Sequence, residues 1–279
     1  MPNNYKVFDK FRLDDKVAVI TGGAGLLGMQ HALAIAEAGG TPILWDINKS
    51  AAINQAKKIR KEFSVPAEGM EIDITDKNSV KYGLGTIVKT FNRLDILINN
   101  AANDPKIKKG SRKIMTRFED FTLELWNKDI AVGLTGAFIC SQAIGTYMAA
   151  HRKGVILNIG SDLSIISPDQ RLYRQPNLSK YNQSVKPVSY SVIKHGILGL
   201  TKYLATYWAA ENIRVNALCP AGVYDNQPEE FVNKLAQLIP MGRMATVGDY
   251  KGAIIFLCSE ASSYMTGACL IMDGGRTVW

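Results

Sequence analysis

The chain has 279 residues, 47% of them hydrophobic and 21% charged, with a formal net charge of +8. That balance fits one large α/β domain, excludes a low-complexity or disordered chain, and reads as a single unit from residue 1 to 279, without a linker. No run of about 18 apolar residues occurs, so no membrane-spanning helix is expected, and the polar N-terminus Met1 to Lys6 has no apolar signal core. A cytoplasmic protein is the expectation. The positive charge serves solubility or attracts anionic ligands, and no basic helix or aromatic-basic interleaving supports nucleic acid as a partner.

From residue 16 onward, buried strand-like runs alternate with amphipathic helical segments. Strands are predicted at Lys16–Thr21, Thr41–Trp45, Ala67–Asp73, Leu94–Asn99, Val155–Gly160, Ile213–Cys219 and Ala268–Met272. Between them helices run to about Ala38, Phe63 and Asn92, over Phe118–Ala150 and Val188–Asn212, and near Glu229–Leu238 and Val247–Ser259. Repeated β-α-β units with right-handed crossovers predict a doubly wound parallel sheet of about seven strands, with helices on both faces, as in a Rossmann fold.

The first turn, Thr21-Gly22-Gly23-Ala24-Gly25-Leu26-Leu27-Gly28, follows a strand and opens a helix. Glycines spaced as Gly23, Gly25 and Gly28 let backbone approach a pyrophosphate at a helix N-terminus, which predicts a dinucleotide site. Strand two ends at Asp46, where a carboxylate accepts hydrogen bonds from a ribose 2′-hydroxyl and repels a 2′-phosphate. NAD is therefore expected over NADP. The alternative role for Asp46 is to cap the next helix.

Tyr190 and Lys194 are four residues apart on a predicted helix and share a face. A nearby ammonium favours the phenolate of a tyrosine whose ordinary pKa is about 10. Cys140, Cys219, Cys258 and Cys269 lie in apolar settings without C-x-x-C spacing, and His31, His151 and His195 are scattered, so buried thiols and no metal site are expected.

Taken together, Thr21-Gly22 through Gly28, Asp46, Asp73, Asn99-Asn100-Ala101-Ala102, Ser161, Tyr190-x-x-x-Lys194 and Asp273-Gly274-Gly275 resemble the short-chain dehydrogenase/reductase family, in family order and over nearly the whole chain. The resemblance implies that Tyr190 is the general acid/base between a secondary alcohol and a ketone, Ser161 holds the substrate oxygen, and Lys194 lowers the tyrosine pKa and bonds the nicotinamide ribose. It further implies cofactor contacts from Gly22, Gly25, Leu27, Gly28, Asp46, Asp73, Ile74, Asn99, Ala101 and Val223.

Three departures accompany it. Leu26 stands where the single-domain members have their middle glycine; Gly22, Gly25 and Gly28 match the turn of the extended branch, which modifies nucleotide sugars, but the remaining motifs are of the single-domain type. Gly133 occupies the place of the family asparagine that helps hold a relay water, which leaves a cofactor-binding sensor or scaffold without chemistry as a rival reading. Ser161 and Tyr190 are 29 positions apart, well beyond the family's usual spacing, and Pro168, Pro176 and Pro187 argue against a helix between them.

That insertion carries Arg171, Arg174, Lys180 and Lys186, and the loop after strand four carries Lys106, Lys108, Lys109, Arg112 and Lys113. Two basic loops over one pocket predict an anionic or polyhydroxylated substrate, with Arg171, Arg174 and Lys106 as candidate contacts. A sugar, sugar acid or sugar phosphate oxidised by NAD is the expectation; an epimerase/dehydratase-like reaction and 3-oxoacyl reduction are the enzymatic alternatives. By resemblance the helices from Phe118 and after Tyr190 pair across subunits of a homodimer or homotetramer, offering Trp126, Ile130 and Phe138.

Overall fold

In the computed structural model, residues 6–103, 116–176 and 178–279 are described. Seven parallel strands form one sheet: β1 Val17–Thr21, β2 Thr41–Asp46, β3 Glu68–Glu71, β4 Ile96–Asn99, β5 Gly154–Ile159, β6 Ile213–Pro220 and β7 Cys269–Met272. Their order across the sheet is β3-β2-β1-β4-β5-β6-β7. The chain starts in the middle, works outward to β3, then returns beside β1 and works outward the other way. Strand order therefore reverses between β1 and β4, which opens a crevice at their C-terminal ends, the place where such sheets bind ligands.

Alternation along each strand divides the core. Ala18 and Ile20 of β1 join Leu44, Ile96, Ile98 and Leu157 beneath α1 (Leu26–Glu37) and α8 (Lys251–Cys258). Val17 and Val19 join Ile43, Trp45, Leu97 and Ile156 on the other face, against α5 (Gly136–Ala150) and α6 (Val188–Tyr207). Both faces are covered, so the strands read as unbroken apolar runs. At roughly 1.5–3 kcal/mol for each fully buried large aliphatic side chain, this two-sided core is the main favourable term.

Helices α2 (Lys49–Phe63) and α3 (Lys77–Phe91) begin on side-chain caps, Asn48 accepting from the Ala51 N–H and Asp76 from the N–H groups of Asn78 and Ser79. Both end on residues in the left-handed region, Ser64 and Asn92. A short helix α7, Glu229–Ala236, precedes α8.

Several boundaries differ from the sequence reading. The third strand is shorter than Ala67–Asp73, because Asp73 leaves the ladder to accept from the Thr75 backbone and hydroxyl. The expected helix over Phe118–Ala150 comprises a 3-10 turn at Phe118–Asp120, α4 (Leu123–Ile130), a π turn at Ala131–Thr135, and α5. Helix α6 stops at Tyr207, and a further 3-10 turn ends on left-handed Asn212.

The stretch Leu123–Ala150 is long and apolar enough to cross a bilayer by length and composition, contrary to the expectation of no such segment. Its apolarity has another use here: Ile139, Cys140, Ile144 and Met148 are buried in the core against the sheet.

His31 of α1 is completely enclosed, and its Nδ1 has no hydrogen-bond partner among the described residues. Burial depresses its pKa from 6.5 to about 3. The unfolded chain takes up the proton first, so stability is complete above pH 6.5 and falls as pH drops toward 3. Denaturation across that window should show a shallower acid-side loss for His31→Asn than for the unsubstituted protein.

Candidate active site

The glycine turn is shaped by contacts that leave no room for side chains. Gly22 has φ +61°, and a Cβ on Gly28 would lie 2.1 Å from the Gly22 carbonyl oxygen. Leu26, by contrast, is 43% exposed, which is why a glycine is dispensable there. Leu27 is half-buried against the core on the α1/α8 side. Gly25 is the N-cap of α1 and supplies no side-chain cap, so the first N–H groups of this helix suit an anion.

Two neighbours hold the turn in place. Asn100 donates from Nδ2 to the Thr21 and Gly22 carbonyls at 2.9 and 3.3 Å, while the N–H groups of Asn100 and Ala101 donate to the Thr21 hydroxyl. Asp46 accepts from the Ala24 N–H at 3.1 Å and the Asn48 N–H at 2.9 Å. Each carboxylate oxygen is thus used once, and a carboxylate offers about four acceptor sites, so capacity for a ribose diol remains. Asp73 lies exposed beyond β3, and Ile74 is buried beside Gly136. Val223 bridges to Ala245 and accepts from Gln227 Nε2, which knits together the short segment Tyr224–Pro228. The glycine cradle, uncapped helix and spare carboxylate acceptors fit a nicotinamide dinucleotide.

A buried polar chain supports the crevice from below. Asn99 donates to Asn158 Oδ1 at 2.8 Å and Ser141 at 3.0 Å, and Asn158 donates to Thr201 of α6. Lys194 is 7% exposed and donates from Nζ to the Ile159 carbonyl at 2.8 Å. The same ammonium is 5.8 Å from the Tyr190 ring centroid. Ser161 follows β5 by two residues, and its Oγ donates to Asp162 Oδ1 at 2.8 Å. The turn Asp162–Ser164 packs on α6, which brings serine, tyrosine and lysine to one corner of the sheet.

The sequence reading named Lys186 only among the cations of the insertion, and it did not single out Asp129, Asp162 or Arg276. Lys186 places its ammonium 3.7 Å from the Tyr190 ring centroid. Asp129, 6% exposed in α4, accepts from the Ser189 hydroxyl at 2.5 Å and from Asn103 Nδ2 at 2.7 Å. Asp162 and Arg276 form a buried ion pair of 2.5 Å. For Lys186, the spacing four before Tyr190 was a usable signal; the other pairings are long-range.

Among its described residues the insertion forms 3-10 turns at Gln170–Tyr173 and Lys180–Asn182, in keeping with prolines that disfavour a longer helix. Leu172 is buried with Leu235, Ile239 and Met244, and Tyr173 lies on Phe231, so the insertion is docked on α7. Arg171 is directed at Asp169, whose pKa its guanidinium pulls down to about 2, and Arg174 is exposed. Lys106 lies outside the described residues. Among the described residues no His, Cys, Asp or Glu cluster suits a metal ion, and Cys219 and Cys269 meet as free thiols at 3.0 Å.

A family model described as enoyl-(acyl carrier protein) reductase matches residues 23–277. The NAD-dependent glycerol dehydrogenase of Listeria innocua is 31% identical over 98% of this chain and 99% of its own. The D-threitol dehydrogenase of Mycolicibacterium smegmatis is 30% identical over 96% and 95%. Among solved structures, a gluconate 5-dehydrogenase from Burkholderia cenocepacia, in complex with NADP and tartrate, superposes with a TM-score of 0.83 at 28% identity, over 98% of this chain and all of that one. The chain belongs to the short-chain dehydrogenase/reductase family. It is an oxidoreductase acting on CH–OH groups.

Gly133 sits inside the π turn, and a Cβ there would meet Ile193 Cγ2 at 2.8 Å and Cδ1 at 2.9 Å. Ile193 is β-branched and immediately precedes Lys194, so it yields poorly. Introducing the family asparagine by Gly133→Asn should therefore lower stability by about 1–3 kcal/mol rather than raise activity. Adding Ile193→Ala should relieve part of that loss, as thermal and denaturant unfolding would reveal.

Proposed function

We propose that this enzyme oxidises a secondary alcohol of a polyhydroxylated substrate, a sugar, sugar acid or sugar phosphate, with NAD. The observation that carries the chemistry is the buried Lys194 ammonium, anchored on Ile159 and facing Tyr190. Its positive charge favours the phenolate, so Tyr190 takes the alcohol proton as general base, and Ser161 stabilises charge on the substrate oxygen. The bound nicotinamide supplies the hydride acceptor. Gly22, Gly25, Leu27 and Gly28 hold its pyrophosphate side, Asp46 the adenosine ribose, Asp73 and Ile74 the adenine side, and Asn99, Ala101, Lys194 and Val223 the nicotinamide side.

Preference for NAD is supported by Asp46, since a 2′-phosphate would face a carboxylate already fixed by the glycine turn. The polyol and sugar-acid relatives support the substrate class. Lys186 supports an anionic group near the reacting carbon, because its charge lies against Tyr190. Assembly as a homodimer or homotetramer is supported by Leu123, Phe138, Val192 and the stacked Tyr203 and Tyr207, all exposed on α4 to α6.

Glycerol, D-threitol, gluconate and phosphorylated sugars should be screened with NAD and NADP at the absorbance of the reduced cofactor. Turnover restricted to apolar alcohols would sink the substrate reading. Tyr190→Phe should lose about a hundredfold or more in kcat, the usual scale for a general base, while NADH fluorescence titration stays unchanged. Asp46→Ala should lower the NAD-over-NADP ratio of kcat/KM by about tenfold; an unaltered ratio removes its ribose role.

A further inference from the structure

Asp162 and Arg276 are not needed by the mechanism above, yet Asp162 touches the serine it uses and Arg276 touches Asp162. Asp162 is 2% exposed, and its carboxylate is shared among three partners. Oδ1 accepts from the Ser161 hydroxyl and the Leu163 N–H, both at 2.8 Å, and Oδ2 accepts from Arg276 Nη1 at 2.5 Å. Arg276, 7% exposed, comes from the far end of the chain.

The segment that presents Arg276 is stiff. Asp273 accepts from the N–H groups of Gly275 at 2.9 Å and Thr277 at 2.7 Å. Gly274 and Gly275 take φ +66° and +89°, and a Cβ on Gly275 would lie 2.9 Å from Pro240. Arg276 also helps to hold down the pKa of Asp169, so one guanidinium acts on both acids of the insertion.

Stability is a poor explanation for this pair. Burying two charges carries a heavy desolvation penalty, and well-packed apolar residues often serve a core as well or better. Its location one hydrogen bond from Ser161 points elsewhere. With its proton on Asp162 and one lone pair engaged by the Leu163 N–H, the serine oxygen presents its remaining lone pair to an incoming alcohol. When negative charge grows on the substrate oxygen, the O–H must turn from Asp162 toward it. A bare carboxylate would retain that hydroxyl through a charge-assisted bond, whereas Arg276 neutralises the carboxylate from its other side.

We propose that Asp162 and Arg276 are positioning residues that set the direction of the Ser161 hydroxyl and weaken the hold of Asp162 on it, coupling the C-terminal segment to the reacting centre. This rests on Ser161 being the residue that meets the substrate oxygen.

The test uses the full chain with NAD and whichever of glycerol, D-threitol or gluconate turns over fastest. Arg276→Met should reduce kcat by about tenfold or more, with KM and NADH affinity within about twofold, because the loss falls on the transition state. Arg276→Lys, which keeps the charge, should recover most of the rate. An Arg276→Met enzyme with full kcat, or one whose loss is entirely in melting temperature, overturns the proposal. Where none of the three alcohols reacts, the functional reading is what fails, and a crystal structure of Asp162→Ala decides this inference separately. Ser161 Oγ should leave the Leu163 N–H in that structure; an unmoved hydroxyl overturns it.

Discussion

The ammonium of Lys194 is the constraint around which the active corner is built. An almost fully enclosed lysine is costly without a partner, and its partner here is the carbonyl of Ile159, the last residue of β5. That bond fixes α6 against the strand leading to Ser161. Tyr190, one helical turn earlier, then has little freedom in where its ring lies. A single buried cation so holds Ser161, Tyr190 and Lys194 at one corner of the sheet.

Around this anchor, polar side chains do the aligning in layers. Asn99, Asn158 and Thr201 tie β4, β5 and α6 together, and the same region of β4 continues into Asn100, which grips the glycine turn. On the outer side Asp129 takes the hydroxyl of Ser189, directly before Tyr190. Hydrogen bonds of this buried kind contribute roughly 1 kcal/mol each, but an unmade one costs about 1–3, so the network constrains geometry more than it stabilises.

Much was legible in the chain. Strand-helix alternation, the glycine turn, Asp46, and the spacing of Tyr190 and Lys194 follow local rules of pattern and periodicity, and the topology realises them. Boundaries were less legible where a local side chain competes with the ladder, as Asp73 and Thr75 do at the end of β3. The basic character of the insertion pointed to substrate, yet Arg171 turns to Asp169 while Leu172 and Tyr173 dock on α7. Charge composition does not encode which cation already has an acid beside it.

Gly133 marks the division most clearly. As a letter it is only a missing asparagine. In the fold it lies in a π turn against Ile193, whose side chain would have to shift to admit even a Cβ. The sequence by itself determined the strand-helix alternation of the sheet, the glycine turn after β1 and the shared helix face of Tyr190 and Lys194, because each depends on neighbours within a few positions. Only the tertiary structure decided that Asp162 meets Arg276, 114 positions away, and that Asp129 meets Ser189, 60 positions away. Those contacts depend on how segments distant in the chain are packed together, which no local periodicity records.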